Sequence, residues 1–273
     1  MKTENLLLTN FNNRKFKVTT YVLDNLKDLK EPKPFIIVIP GGSFDHLSAR
    51  ESEPVALAYA ARGFNSCVMS YNLLQDEGKI YPDAGLDVLT TVKYFRKHAD
   101  EYNIDPERIV TLGFSAGAHV ASAANVMADS EKFKSEYNYD SDEVRPNETI
   151  LGYPLTDVKK TTHQMTDADW AELPKEPELV DTALGVTDKT PSTFIFQSWD
   201  DPICLQTNSL AYAQALYEHG VNCELHMFDS GYHGYSLATP ELAVKGKEWQ
   251  NNPHTAKWFN LSLEWLTHRF TEK

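Results

Sequence analysis

The chain has 273 residues, of which 41% are hydrophobic and 24% charged, a composition typical of one globular domain with a sizeable core. Its formal net charge of −13 argues against a nucleic-acid or anionic-membrane partner, because both bind basic surfaces. No apolar run is long enough to span a bilayer, and the start of the chain lacks the apolar core of a signal peptide.

The three cysteines, Cys67, Cys204 and Cys223, are odd in number and far apart in the chain. This usage is typical of reduced thiols and does not indicate a disulfide framework. We therefore expect a cytoplasmic protein. The sequence leaves open whether the chain forms a homo-oligomer.

Apolar runs alternate with helical patterns, which predicts an α/β fold with a mostly parallel, twisted sheet and helices on both faces. Residues 15–23 alternate polar and apolar side chains and predict an edge strand. Residues 35–39 are continuously apolar and predict a strand buried on both faces. Further strands are predicted at residues 64–71, 108–112, 149–153, 193–199 and 222–228.

Helices are predicted between these strands, and an amphipathic helix is predicted after the last one. They lie at residues 54–62, 81–102, 116–128 and 207–220, with a last helix from 253 to about 269. In the second helix Leu86, Leu89, Val92 and Phe95 recur at helical spacing, so this stripe should face the core.

Residues 155–191 interrupt the alternation, because they are rich in Asp, Glu, Thr, Lys and Pro and show no periodicity. A long connection of this kind is often a lid or a mobile loop. We interpret it as a small cap inserted within a single domain of residues 1–273. A solvated surface excursion would fit the same composition.

The strongest local motif is Gly113–Phe114–Ser115–Ala116–Gly117, which follows a predicted strand and opens a predicted helix. In that context the pattern indicates a nucleophile elbow, a sharp turn whose flanking glycines leave room for the serine to project above the sheet. Ser115 is therefore the candidate nucleophile. The backbone N–H of Ala116, at the helix start, is placed to stabilise an oxyanion.

A second glycine turn, Pro40–Gly41–Gly42–Ser43–Phe44, follows the most buried predicted strand. Adjacent glycines allow the backbone to approach a ligand closely. Beside a serine nucleophile, this position is suited to the rest of an oxyanion hole, with the N–H groups of Gly42 and Ser43 as donors.

A serine hydroxyl needs a base to remove its proton, and nine histidines compete for that role. His119 lies one helical turn beyond Ser115 and should pack beneath the elbow as a structural residue. His233 lies in a loop after a predicted strand and is followed by a glycine, so it can reach over the sheet edge. We predict that His233 is the base.

The base needs a carboxylate that fixes its tautomer. Asp200 and Asp201 both follow the strand at residues 193–199, and the chain order of nucleophile, acid and histidine suits either. Phe44, Trp199 and Tyr232 flank the predicted chemistry. They could form a small aromatic pocket for substrate, or could instead fill the core.

The order and spacing of a set of motifs resemble those of bacterial esterases of the α/β-hydrolase superfamily. The most similar branch is that of acetyl esterases and xylan-esterase-like proteins, near the hormone-sensitive-lipase group. The motifs are Pro40–Phe44, the Asn72 region, Tyr81–Pro82–Asp83, Ile104–Arg108, Gly113–His119, Gly152–Tyr153–Pro154 and His233–Gly234. The resemblance implies an α/β-hydrolase fold and places Asp201 at the acid position. Gln197 stands where the family has histidine, and Cys204–Leu205 replaces its Val-Pro pair.

These features predict a serine carboxylesterase that hydrolyses a small-molecule ester through an acyl-enzyme, with no metal or organic cofactor. The resemblance suggests short acyl groups, including acetyl groups on carbohydrates. A peptidase or amidase of the same fold and a non-catalytic binding protein are the alternatives. The first would turn over amides, and the second would leave Ser115 unreactive.

Overall fold

The computed structural model describes residues 1–24 and 31–271. Its strands are β1 (Lys2–Thr9), β2 (Lys15–Val22), β3 (Lys33–Ile39), β4 (Asn65–Ser70), β5 (Ile104–Phe114), β6 (Glu148–Gly152), β7 (Ser192–Ser198) and β8 (Cys223–Phe228). They form one eight-stranded sheet in the order β1-β2-β4-β3-β5-β6-β7-β8. β2 pairs antiparallel with both β1 and β4, and all other neighbours in the sheet are parallel.

Helices cover both faces of this sheet. They are α1 (Glu53–Ala60), α2 (Asp83–Lys97), α3 (Ala99–Tyr102), α4 (Ala116–Asp129), α5 (Glu131–Tyr137), α6 (Ser141–Val144), α7 (Asp167–Glu172), α8 (Pro177–Val180), α9 (Thr207–Glu218) and α10 (Lys257–Thr271). Buried side chains of α2, α4 and α9 belong to one core cluster, and those of α1 and α10 belong to the other.

The strand β3 lies in the middle of the sheet and contributes to both cores. Phe35, Ile37 and Ile39 belong to the first cluster, and Ile36 and Val38 belong to the second; all five are fully buried. Successive side chains of a strand point to opposite faces, so an unbroken apolar run is what a doubly covered strand requires. The sequence prediction for this strand is confirmed.

The predicted stripe on α2 is also confirmed, since Leu86, Leu89, Val92 and Phe95 are fully buried. The predicted helix at residues 81–102 is instead two helices, α2 and α3. They are separated at His98, whose φ of −105° and ψ of 24° leave the helical region.

The prediction that residues 15–23 form the edge strand was wrong. β1 pairs along the whole length of β2, from Lys2 opposite Val22 to Thr9 opposite Lys15, and occupies the edge itself. β1 buries little of its surface, so it lacks the apolar pattern that identifies a strand. Its pairing with β2 depends on backbone hydrogen bonds that composition does not record.

The parallel arrangement brings four loops to one edge of the sheet, because the carboxyl ends of parallel strands lie on the same side. The loop after β3 carries Gly42, the turn after β5 carries Ser115, the loop after β7 carries Asp201, and the loop after β8 carries His233. Candidate residues that are far apart in the sequence therefore meet in space.

Candidate active site

The turn between β5 and α4 has the geometry of a nucleophile elbow. Ser115 adopts a φ of 52° and a ψ of −119°, a strained conformation for a residue with a side chain. A Cβ on Gly113 would lie 2.4 Å from the Gly117 carbonyl oxygen, and a Cβ on Gly117 would lie 2.2 Å from the Ile39 carbonyl oxygen. Both flanking positions therefore require glycine, and the turn leaves the Ser115 side chain at the sheet edge.

Ser115, His233 and Asp201 form one hydrogen-bonded chain. The Ser115 Oγ lies 2.8 Å from His233 Nε2, and His233 Nδ1 lies 2.7 Å from Asp201 Oδ2. The Asp201 side chain is completely buried and that of His233 is 16% exposed. A carboxylate only accepts hydrogen bonds, so it favours the imidazole with a proton on Nδ1 and leaves Nε2 free to accept the proton of the serine.

The adjacent carboxylates Asp200 and Asp201 have different partners. Asp201 Oδ1 accepts hydrogen bonds from the backbone N–H groups of Ile203, at 2.8 Å, and Cys204, at 3.0 Å. Asp200 Oδ1 accepts from the N–H groups of Gly231 and Tyr232, each at 2.9 Å. Asp200 therefore contacts the backbone of the loop that carries His233, whereas Asp201 contacts the imidazole itself.

The glycine turn after β3 brings Gly42 and Ser43 to the same region as Ser115. Gly42 has a φ of 137°, and a Cβ there would lie 2.0 Å from the His46 carbonyl oxygen, so only glycine fits. Ala116 occupies the first position of α4, where an N–H has no acceptor within the helix. Within residues 1–24 and 31–271, no side chain or carbonyl accepts a hydrogen bond from the N–H of Ser43 or Ala116.

A cavity of about 580 Å³ lies beside the glycine turn and the elbow. Gly42, Ser43, Ser115 and His233 line it together with Tyr232, a residue that is 49% exposed. The cavity is large enough for an ester with a small acyl group and a ring-sized alcohol.

Of the three predicted substrate-binding aromatics, the structure brings Tyr232 to this cavity and leaves Phe44 and Trp199 outside it. Phe44 is fully buried, with its ring centroid 5.9 Å from that of His119. Trp199 lies in the turn directly after β7 and is 61% exposed.

Comparisons with known proteins identify the family. The model of the BD-FAE family matches residues 25–216, which is most of the chain. The chain belongs to the BD-FAE family. Its fold is also that of a solved carboxylesterase, Cest-2923 from Lactobacillus plantarum WCFS1, with a TM-score of 0.92 and 31% sequence identity over 98% of each chain.

Two curated relatives of this BD-FAE chain carry carbohydrate-related names. Endo-1,4-beta-xylanase B of Butyrivibrio fibrisolvens is 33% identical over 76% of this chain and 33% of its own length. Acetylxylan esterase of Xylanibacter ruminicola (strain ATCC 19189) is 30% identical over 75% of this chain and 41% of its own length. The chain thus spans about a third to two fifths of these relatives. The comparisons confirm the resemblance to acetyl and xylan esterases, and with the sheet order they confirm the α/β-hydrolase fold.

Several residues of the BD-FAE site were not predicted from the sequence. Ser48, Arg50 and Glu51 line the cavity on the side of the glycine turn. On another side it is lined by Lys247, Trp249 and Gln250, with the Trp249 ring centroid 5.3 Å from that of Tyr232. No motif marks these positions, because they reach the cavity through the paths of two distant loops, the one after β3 and the one after β8.

Residues 155–191, predicted as a cap, pack in part against α4. Thr182 donates a hydrogen bond to Ser122 of α4, and a Cβ on Gly185 would meet the Val126 side chain of the same helix at 2.5 Å. Thr161 forms a β-bridge with Cys204. Of this segment, His163 lines the cavity.

His119 is fully buried beneath the elbow, with its Nδ1 2.5 Å from the hydroxyl of Tyr81. Burial lowers the pKa of His119 from 6.5 to about 4, because the charged imidazolium would lose its hydration. The unfolded chain therefore binds a proton at mildly acidic pH that the folded protein does not bind. Lowering the pH consequently favours unfolding.

When the pH falls from 7 to 5, we expect the titration of His119 to lower the free energy of unfolding by about 2 kcal/mol. Urea unfolding of His119→Gln should show a pH dependence weaker by about this amount. His219→Gln, at an exposed position after α9, is the control and should behave as the wild-type protein does. Equal pH dependence in the wild type and His119→Gln would contradict the buried neutral state.

The structure shows no cluster of three or more His, Cys, Asp or Glu side chains placed to hold a metal ion in its described residues. No helix in this part of the chain is long and apolar enough to cross a membrane. All three cysteines are free thiols.

Proposed function

We propose that this protein is a serine carboxylesterase that hydrolyses short-chain esters, including acetyl groups on carbohydrates, through a covalent acyl-enzyme. The observation that carries the proposal is the hydrogen-bonded chain from Ser115 through His233 to the buried Asp201. The likeness to a carboxylesterase over nearly the full length of both chains supports it, as does the similarity to an acetylxylan esterase.

In the first half of the proposed reaction, His233 Nε2 takes the proton of Ser115 as the Oγ attacks the ester carbonyl carbon. The carbonyl oxygen becomes an oxyanion, which the N–H groups of Gly42, Ser43 and Ala116 stabilise. Collapse of this intermediate breaks the bond to the alcohol, which leaves with the proton held by His233.

In the second half a water molecule replaces the alcohol. His233 takes a proton from the water, the resulting hydroxide attacks the acyl carbon, and the acid is released as Ser115 regains its proton. Each step uses groups of the protein, the ester and water, so the proposal includes no metal ion or organic cofactor. The free thiols of Cys67, Cys204 and Cys223 support a cytoplasmic location as part of this proposal.

Labelling with a fluorophosphonate tests the proposed nucleophile directly. We expect stoichiometric labelling, with the mass increase on the peptide that contains Ser115, and turnover of p-nitrophenyl acetate and acetylated xylo-oligosaccharides. Turnover of matched amides at a comparable rate would instead favour a peptidase or amidase. A protein that is neither labelled nor able to hydrolyse any of these esters would be a binding protein of the same fold.

The aromatic pair Tyr232 and Trp249 should contribute to binding of a bulky alcohol. We expect Trp249→Ala to raise KM for acetylated xylo-oligosaccharides roughly 3- to 10-fold while changing KM for ethyl acetate little, because only the larger alcohol reaches the ring. Trp199→Ala removes an exposed tryptophan outside the cavity and is the matched control. Equal effects of Trp249→Ala on both substrates would contradict this role.

A further inference from the structure

Glu51 is a buried carboxylate to which the proposed reaction assigns no role. It ends the 3-10 helix Ala49–Glu51 and is 3% exposed. Among the described residues, no lysine, arginine or histidine forms an ion pair with it. Burying a carboxylate without an ion pair is costly unless hydrogen bonds satisfy its oxygens. The two hydrogen bonds that the Glu51 side chain accepts therefore indicate its role.

The first contact is with the glycine turn that carries the predicted oxyanion donors. Glu51 Oε2 accepts a hydrogen bond from the Gly41 N–H at 2.9 Å. Gly41 immediately precedes Gly42, and a Cβ at Gly41 would lie 2.7 Å from the Phe114 carbonyl oxygen and 2.9 Å from the Ser115 Cβ. The carboxylate thus fixes the backbone where the glycine turn passes against the elbow.

The second contact leads to the loop that carries His233. Glu51 Oε1 accepts a hydrogen bond from the hydroxyl of Tyr153 at 2.6 Å, and the same hydroxyl accepts from the Ser236 N–H at 3.0 Å. Tyr153 is fully buried, and its ring packs edge-on against the His233 imidazole at a centroid distance of 5.0 Å. One carboxylate therefore connects the glycine turn to the histidine loop through a single tyrosine.

The neighbouring residue, Arg50, connects the 3-10 helix to the histidine loop independently. Arg50 Nη1 donates to the Gly234 carbonyl oxygen at 2.7 Å, and the Ser236 hydroxyl donates to the Arg50 carbonyl oxygen. Ser236 has a φ of 53°, so this loop has a backbone conformation that needs support from its surroundings. The 3-10 helix is thus bonded to both sides of the site.

We propose that Glu51 is a positioning residue, which holds the oxyanion donors and the His233 loop at the separation that acyl transfer needs. This role rests on the proposed function. Errors of about 1 Å in such geometry lower the rate of the chemical step on the order of 100-fold. Because Glu51 acts through Gly41 and Tyr153, its removal should lower kcat and leave KM largely unchanged.

The test compares Glu51→Gln with Glu53→Gln, a change at an exposed carboxylate two residues away. The concentration of active sites is first measured by fluorophosphonate labelling run to completion, and kcat is expressed per labelled site. The amide keeps one acceptor but replaces the other with an N–H₂ group, which opposes either the Gly41 N–H or the Tyr153 hydroxyl. We expect kcat per site to fall roughly 10- to 100-fold, with KM within about threefold of wild type.

Tyr153→Phe provides a second variant, because it keeps the ring against His233 and deletes only the bridging hydroxyl. It should also lower kcat per site. The double variant should lose less than the product of the two single losses, since both changes break one bridge.

A kcat per site in Glu51→Gln equal to that of Glu53→Gln, with only a lower melting temperature, would overturn the positioning role. If Glu51→Gln does not fold, an unchanged kcat per site in Tyr153→Phe overturns it in the same way. A wild-type protein that is neither labelled nor active on esters overturns the proposed function, and the positioning role with it. That outcome is distinct, because it appears before any variant is compared.

Discussion

Ser115→Ala is expected to lower ester hydrolysis on the order of 1,000-fold or more, because the residues of a nucleophile–base–acid chain act as a unit. The change removes the hydroxyl that lies 2.8 Å from His233 Nε2. It leaves the strained φ of 52° to be adopted by another small residue, so the fold should be retained. The measurement is kcat/KM for p-nitrophenyl acetate, together with the melting temperature and loss of fluorophosphonate labelling.

Cys204 should not replace the missing nucleophile, although its Sγ lies 3.9 Å from the Ser115 Oγ. Burial raises the pKa of the Cys204 thiol well above its usual value, so the thiol stays protonated and unreactive. Ser135→Ala, at an exposed position on α5, is the control and should retain full activity. Near wild-type hydrolysis by Ser115→Ala would show that another group is the nucleophile.

Asp201→Asn is expected to lower kcat by roughly 1,000- to 10,000-fold, because it changes the tautomer of the base. The N–H groups of Ile203 and Cys204 both donate to Asp201 Oδ1, so the oxygen of the new amide must remain on that side. The amide N–H₂ then faces His233 Nδ1 and donates to it. Nδ1 becomes an acceptor, the proton moves to Nε2, and Nε2 can no longer accept the proton of Ser115.

The adjacent carboxylate gives the matched comparison. Asp200→Asn keeps an oxygen that can accept from Gly231 and Tyr232, so kcat should stay within roughly threefold of wild type. Asp200→Ala removes that acceptor and should cost more than Asp200→Asn, through disorder of the loop before His233. If Asp200→Asn abolished activity while Asp201→Asn did not, Asp200 would be the acid.

The sequence by itself determined the fold class and most of the sheet. β3 is recognisable because a strand covered on both faces needs an unbroken apolar run, and the stripe on α2 is recognisable because helical spacing puts one face in the core. The elbow around Ser115 is equally local, since glycine is required where a Cβ would meet backbone within about five residues or on the adjoining strand. These features depend on short-range sterics and periodicity, which a single sequence records.

The partners of individual side chains required the tertiary structure. Chain order alone did not separate Asp200 from Asp201, because both follow β7 and differ only in which loop atoms they meet; the family resemblance favoured Asp201. Only packing placed Phe44 in the core and Trp199 in solvent.

Tertiary packing also brings three unpredicted residues to the cavity, Lys247, Trp249 and Glu51. Their neighbours are set by how distant loops converge at the carboxyl edge of the sheet, and no local pattern encodes that convergence.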